Sequence, residues 1–163
     1  MFCSLSKVTF PGAGVAAMAA SRRNIDYILK NMFPMIISFD KLNQVRHIRF
    51  LKDMDGLAAH MEKHRALLEP KFRAVLAILD EGLSGCGSIA RWTKPNGGYF
   101  LSLYTLGGCA KRTVQLCREA GVVLTDAGAA YPYGVDPQDS NIRIAPTFPP
   151  LDELETASRL LCV

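Results

Sequence analysis

Lys7 is the residue that most invites a chemical role. It stands in SLSKVTFPGAGVAAMAAS, residues 4–21, among serines, a threonine and small residues, and no Asp or Glu precedes Asp26. A lysine can act as nucleophile or general base when its site depresses the amine's pKa, by desolvation or by a nearby cation. Two ordinary readings compete. An acid-poor, Ala-rich segment ending in AMAASRR has the composition of a targeting peptide, although Pro11, Gly12 and Gly14 interrupt the apolar run that a signal peptide needs. Alternatively, Lys7 is a surface lysine in a strand-to-helix turn. Arg143, in NIRIAP, offers a planar fork of donors suited to a carboxylate. Taken alone, it reads more readily as a structural arginine on an edge strand. His60 and His64, four apart, could put two ligands on one helical face. No third ligand and no HExxH-type glutamate accompanies them, so no metal site is expected. The five cysteines form no CxxC pair and are odd in number, which fits reduced thiols of a cytoplasmic protein better than a disulfide framework.

The elements that would position these residues can be read from pattern. The chain has 163 residues, is 49% hydrophobic and 21% charged, and carries a net charge of +4, a composition that reads as globular; its mix of strand and helix patterns is that of an α/β protein. The longest apolar run, MFPMIISF at 32–39, is too short to cross a membrane, and the basic residues are too scattered for a nucleic-acid surface. Residues 1–6 read as the end of a strand entering the SLSK turn, Gly14–Ala20 as the start of a helix, and Ser21 as the cap of a helix to about Met32. Residues 39–53 have a helical pattern. Leu57, Met61, His64, Leu68, Phe72, Val75, Leu79 and Leu83 form one helical stripe. Pro70 inside it is expected to kink or break that helix. SIARWT and GGYFLSLYT read as strands joined by KPNGG, CAKRTVQLCREAG as a helix closed by Gly121, VVLTDAG as a strand or loop, NIRIAP as a strand, and PPLDELETASRLLCV as a helix with proline at its start and acids in its first turn. With a strand at its start and an apolar helix at its end, the sequence reads as a piece of something larger.

Three motifs, SLSKVTFPGAGV, GGYFLSL and NIRIAPTFP, occur in an order that resembles the C-terminal half of a fold-type I, pyridoxal-phosphate-dependent aminotransferase of class I/II. KLNQVRHIRFLKDMDGLAAHMEKHRALLEPKF and REAGVVLTDAGAAYPYGVDPQDSNIRIAP resemble the aspartate aminotransferase-like (alanine–glyoxylate aminotransferase-like) branch. The resemblance covers nearly the whole chain. It implies a C-terminal remnant of the large, cofactor-binding domain at 1–53, a long bent linking helix at 54–84, and a small α+β C-terminal domain at 85–163, truncated at its end.

The resemblance also implies the chemistry. Lys7 matches the lysine that holds pyridoxal 5'-phosphate as an internal aldimine, and that moves a proton during amino transfer from an L-amino acid, aspartate by branch, to a 2-oxo acid such as 2-oxoglutarate. Ser4 matches a hydroxyl that bonds the cofactor phosphate, with Ser6 and the backbone around Gly14 as further contacts. Where many relatives carry a phosphate-gripping arginine, this chain has Gly14 and Val15. Phosphate binding is therefore expected to lean on amides of Gly12–Gly14 or on a helix N-terminus. Arg143 matches the arginine that pairs with the substrate α-carboxylate, and Tyr99 would line the substrate pocket. Asn141 and Pro146 would shape the backbone. Arg46 and His47 belong to the branch signature and are expected in helix packing or a dimer interface. Also implied are a homodimer and a cytoplasmic location, with no metal, nucleic-acid or membrane partner. The family's remaining cofactor contacts lie upstream of Lys7, so the chain alone is expected to lack appreciable activity. A decarboxylase or lyase of the same fold, or a non-catalytic regulator or interaction module built on it, remains the alternative.

Overall fold

A computed structural model describes residues 1–163, which divide into two compact units, Met1–Arg65 and Ala66–Val163. In the first, strand β1 (Phe2–Ser4) pairs antiparallel with β2 (Ala16–Met18), with Cys3 opposite Ala17. The ladder extends past both strands through Leu5 N–H to the Val15 carbonyl at 2.8 Å and Ala19 N–H to the Met1 carbonyl at 2.9 Å. The SLSK segment is thus the closed end of a hairpin. The helix expected over Gly14–Ala20 is not formed. Alanine favours helix only weakly per residue, and the pairing of three successive residues with β1 supplies backbone partners that override it.

Helix α1 (Arg22–Met32) follows Ser21, which occupies the cap position without a capping bond from its hydroxyl. Helix α2 (Lys41–Leu51) is capped by Asp40, whose carboxylate accepts from Asn43 N–H at 2.9 Å. The chain then enters α3 (Met54–Leu83), where Asp53 accepts from Gly56 N–H at 2.8 Å. A Cβ on Gly56 would overlap the Leu51 carbonyl, so the tight α2–α3 corner needs glycine there. The only buried side chains of this unit are Asn43 and His47.

The second unit holds the apolar core. Strands β3 (Ala90–Trp92), β4 (Leu101–Thr105) and β5 (Asn141–Ile144) form an antiparallel sheet in that order. GGYFLSLYT enters the sheet only at Leu101, because Gly98, at φ +93°, and its neighbours bend the chain first. Leu101 faces Ile144 and Leu103 faces Ile142 across the strands, and these four are buried with Val75 and Leu79 of α3, Ala110 and Val114 of α4 (Ala110–Glu119) and Leu154 of α5 (Leu151–Leu161). VVLTDAG is loop. Helix α3 runs through Pro70, which neither breaks nor ends it. The ring costs the bond that Ala66 would have accepted, yet Phe72, Val75, Leu76, Leu79 and Leu83 pack on the core immediately beyond, and Arg73 pairs with Glu69 at 2.6 Å across the proline.

Candidate active site

Lys7 sits in the hairpin's closed end, where Val8 and Thr9 amides donate to the Leu5 carbonyl at 2.9 and 3.0 Å. Its side chain is exposed, as are Ser4 and Ser6. Ser4 Oγ and Ser6 Oγ lie 2.8 Å apart, and Ser6 N–H donates to Ser4 Oγ at 3.2 Å. Of the two hydroxyl protons, the mutual bond uses one and leaves one for an outside acceptor. Gly14 lies against this pair: a Cβ there would overlap the Ser6 side chain and come within 2.8 Å of its Cα. Gly12, at φ +74°, makes the return turn. Ser4, Ser6, Lys7 and Gly14 are therefore brought together, as their sequence spacing suggested.

Of the support beneath this turn, only Arg46 and His47 carried a packing expectation from sequence. His47 on α2 is buried; its Nδ1–H donates to the Asn43 carbonyl at 2.8 Å, and its Nε2 meets Thr9 Oγ1 at 2.7 Å. Thr9 Oγ1 also lies 3.0 Å from the Leu5 carbonyl, so its single proton has two acceptors in reach. Asn43 donates from its side chain to the Ala13 carbonyl at 2.6 Å. His60 on α3 donates from Nε2 to the Val8 carbonyl at 2.6 Å, with His64 Nε2 3.1 Å behind. Phe10 packs edge-on to His47 at 5.2 Å and against Phe50 at 5.0 Å, Phe50 packs edge-on to His60 at 5.0 Å, and Arg46 lies 5.7 Å above the Phe10 ring. His47 thus has the helix-packing role expected of it. The signal that could have found it was a histidine one turn beyond Asn43 on the same face of α2, which does not by itself name a partner 38 residues away.

The second unit carries Arg143 and Tyr99. Alternation along β5 puts Ile142 and Ile144 in the core and Arg143 on the opposite face, across from Ser102. Arg143 is half-buried; its guanidinium carbon lies 4.7 Å above the Phe100 ring, and its Nε is buried without a hydrogen-bond partner. It belongs to none of the chain's salt bridges. Tyr99, half-buried, lies in the bend before β4. β5 is an edge strand, and Asp136 fixes its entry by accepting from the amides of Ser140 and Asn141 at 2.8 Å and of Gln138 at 3.0 Å. The Ser140 bond foremost, with the other two, holds the Asp136 carboxyl below the usual carboxylate range. Pro146, fully buried, and Lys71, whose Nζ donates to the Thr147 and Pro149 carbonyls at 2.9 and 2.6 Å, set the loop that leaves β5.

These groups can be compared with the cofactor that the resemblance implies. An exposed primary amine and a hydroxyl pair with a spare proton, on one turn, match in kind an aldehyde that carries a phosphate. The phosphate support expected from Gly12–Gly14 is thinner than the sequence suggested. Ala13 N–H is given to the Phe10 carbonyl at 3.1 Å, and beyond Gly14 the chain runs into a strand, so no helix N-terminus opens there.

Comparison with known proteins points one way. The sequence profile of the family described as "Aspartate amino-transferase" matches residues 1–163. A protein of Mycolicibacterium smegmatis named as an aminotransferase is 51% identical over 157 residues, which is 96% of this chain and 36% of that protein. The crystal structure of an aspartate transaminase from Corynebacterium glutamicum superposes with a TM-score of 0.89 at 43% identity, over 99% of this chain and 38% of that one. The fold also matches an alpha-aminoadipate aminotransferase of Thermus thermophilus, solved with N-(5'-phosphopyridoxyl)-L-leucine, at a TM-score of 0.75 and 21% identity, over 97% of this chain and 39% of that one. The chain spans little more than a third of the length of these relatives.

Proposed function

The chain belongs to the aspartate amino-transferase family, and from that premise we propose that it carries the cofactor lysine and the substrate-carboxylate arginine of a pyridoxal-phosphate-dependent transaminase. The reading takes L-aspartate as amino donor and a 2-oxo acid such as 2-oxoglutarate as acceptor. The donor choice is supported by the 43% identity to a protein named as an aspartate transaminase. The observation that carries the reading is Arg143: a half-buried guanidinium stacked on Phe100 and outside every ion pair keeps its outer N–H donors available for a substrate carboxylate.

Pyridoxal 5'-phosphate, when bound, supplies the electron sink that stabilises charge at the substrate α-carbon. The chain's own residues do the rest. Lys7 would hold the cofactor through Nζ, and once released that amine would hold or move the proton at the substrate α-carbon. Ser4 or Ser6 gives its spare hydroxyl proton to the phosphate, and Gly14, by lacking a Cβ, lets the strand approach that pair. Arg143 grips the α-carboxylate through two parallel N–H donors and fixes the substrate plane, and Tyr99 lines the same pocket. The active form is a homodimer in the cytoplasm; no helix here is long and apolar enough to cross a membrane.

The test is product analysis with the protein at its full natural length. Equal amounts of oxaloacetate and glutamate from L-aspartate and 2-oxoglutarate are expected. Release of carbon dioxide or ammonia without glutamate would replace transamination by a decarboxylase or lyase reading.

A further inference from the structure

Lys7 is exposed, but its two successors in the chain are held. Two histidines from two different helices reach the turn at successive positions. His60 Nε2 meets the Val8 carbonyl at 2.6 Å, and His47 Nε2 meets Thr9 Oγ1 at 2.7 Å. A carbonyl only accepts, so His60 Nε2 carries the proton, and His64 Nε2, at 3.1 Å, faces that same N–H as an acceptor. His47 Nδ1–H is committed to the Asn43 carbonyl, so in the neutral ring Nε2 accepts from Thr9. Both imidazoles are further fixed by edge-on aromatic contacts, His47 to Phe10 and His60 to Phe50, with Phe10 and Phe50 in contact. Together with the β1–β2 ladder and the Asn43 bond to the Ala13 carbonyl, these directed bonds and ring contacts hold the turn within this unit.

We propose that His47 and His60 are positioning residues for Lys7: they grip the backbone and side chain of the two residues after it, and so set where its amine can reach. The assignment rests on the reading of Lys7 as the cofactor lysine. A turn free to wander would let Nζ leave the aldehyde carbon's reach without any change in the lysine itself.

The experiment uses the full-natural-length protein and two readouts. One is amide hydrogen exchange of the peptide covering residues 5–10, with peptides from α4 and α5 as reference. The other is the fraction of pyridoxal phosphate that borohydride fixes on Lys7 rather than on other lysines. His60→Leu, and separately Thr9→Val, which acts from the loop side and leaves both helices intact, are expected to speed exchange in residues 5–10 about tenfold, the effect of losing a hydrogen bond worth ~1.4 kcal/mol. The reference peptides should not change, and the Lys7 share of label should fall. His60→Gln, which keeps an N–H donor, should restore both readouts. Unchanged exchange and labelling in both His60→Leu and Thr9→Val would overturn the proposal, as would a loss that glutamine does not restore. Failure to label Lys7 in the unsubstituted protein would overturn the cofactor reading instead, while exchange would still show whether the histidines hold the turn.

Discussion

Arg143 shows how much a single residue's surroundings decide. An arginine on an exposed edge would scatter its five donors into water, but here the guanidinium lies over Phe100 and Nε is shut off without a partner. A buried, unsatisfied donor costs about 1–3 kcal/mol, so the stacking on Phe100 and the strand backbone hold the side chain there against that cost. Arg143→Lys keeps the charge but loses the parallel pair of donors. It is expected to raise the KM for the amino acid about 10- to 100-fold, equivalent to ~1.4–2.7 kcal/mol, and to change kcat less; steady-state kinetics of the variant check this. Lys7 and Arg143 stood out in the sequence because each sits in a short motif whose residue types carry a chemical signal. The Ser4–Ser6–Gly14 cluster was legible for the same reason. His47 and His60 were not, since their partners lie 38 and 52 residues away and only the folded chain brings them together.

Among the elements, β5 depends most on a titratable group. Asp136 collects three amide protons at the strand's entry, and its folded carboxyl lies below its ordinary value. A depressed carboxyl stabilises the fold above its unfolded pKa, about 4, and that contribution is lost as pH falls through the lower folded value. Urea denaturation of the protein and of Asp136→Ala should therefore show a clear stability gap at neutral pH that narrows below about pH 4. A gap independent of pH would mean that the carboxylate's charge has no part in it. The helices α1, α2, α4 and α5 were readable from caps, periodicity and glycine stops. β2 was not, because Ala16–Met18 has no strand signature and takes its conformation from the register with β1. At Pro70 the local penalty was visible in the sequence, whereas the packing of α3 beyond it, with which the helix continues unbroken, was not.

Across the molecule the apolar residues are unevenly placed. Every buried apolar side chain belongs to residues 66–163, while Phe2, Tyr27, Phe33, Met35, Ile37, Phe39, Leu42 and Ile48 of the first unit are exposed. The exposed set lies in the unit that carries Lys7, in a chain that spans little more than a third of its relatives' length. Apolar surface on this scale is what a fold presents where more protein is meant to cover it. The fold class was legible through the three ordered motifs that carry the family resemblance, whereas the division at Arg65, inside one continuous helix, has no local mark. The central claim is that Lys7 is the cofactor lysine. Its most direct test is borohydride reduction of the full-natural-length protein with pyridoxal phosphate, followed by peptide mapping. The account predicts a visible absorbance band that reduction abolishes, with the label on the peptide that contains Lys7 and no label there in Lys7→Arg. A band whose label maps to another lysine, or no band at all, would contradict it.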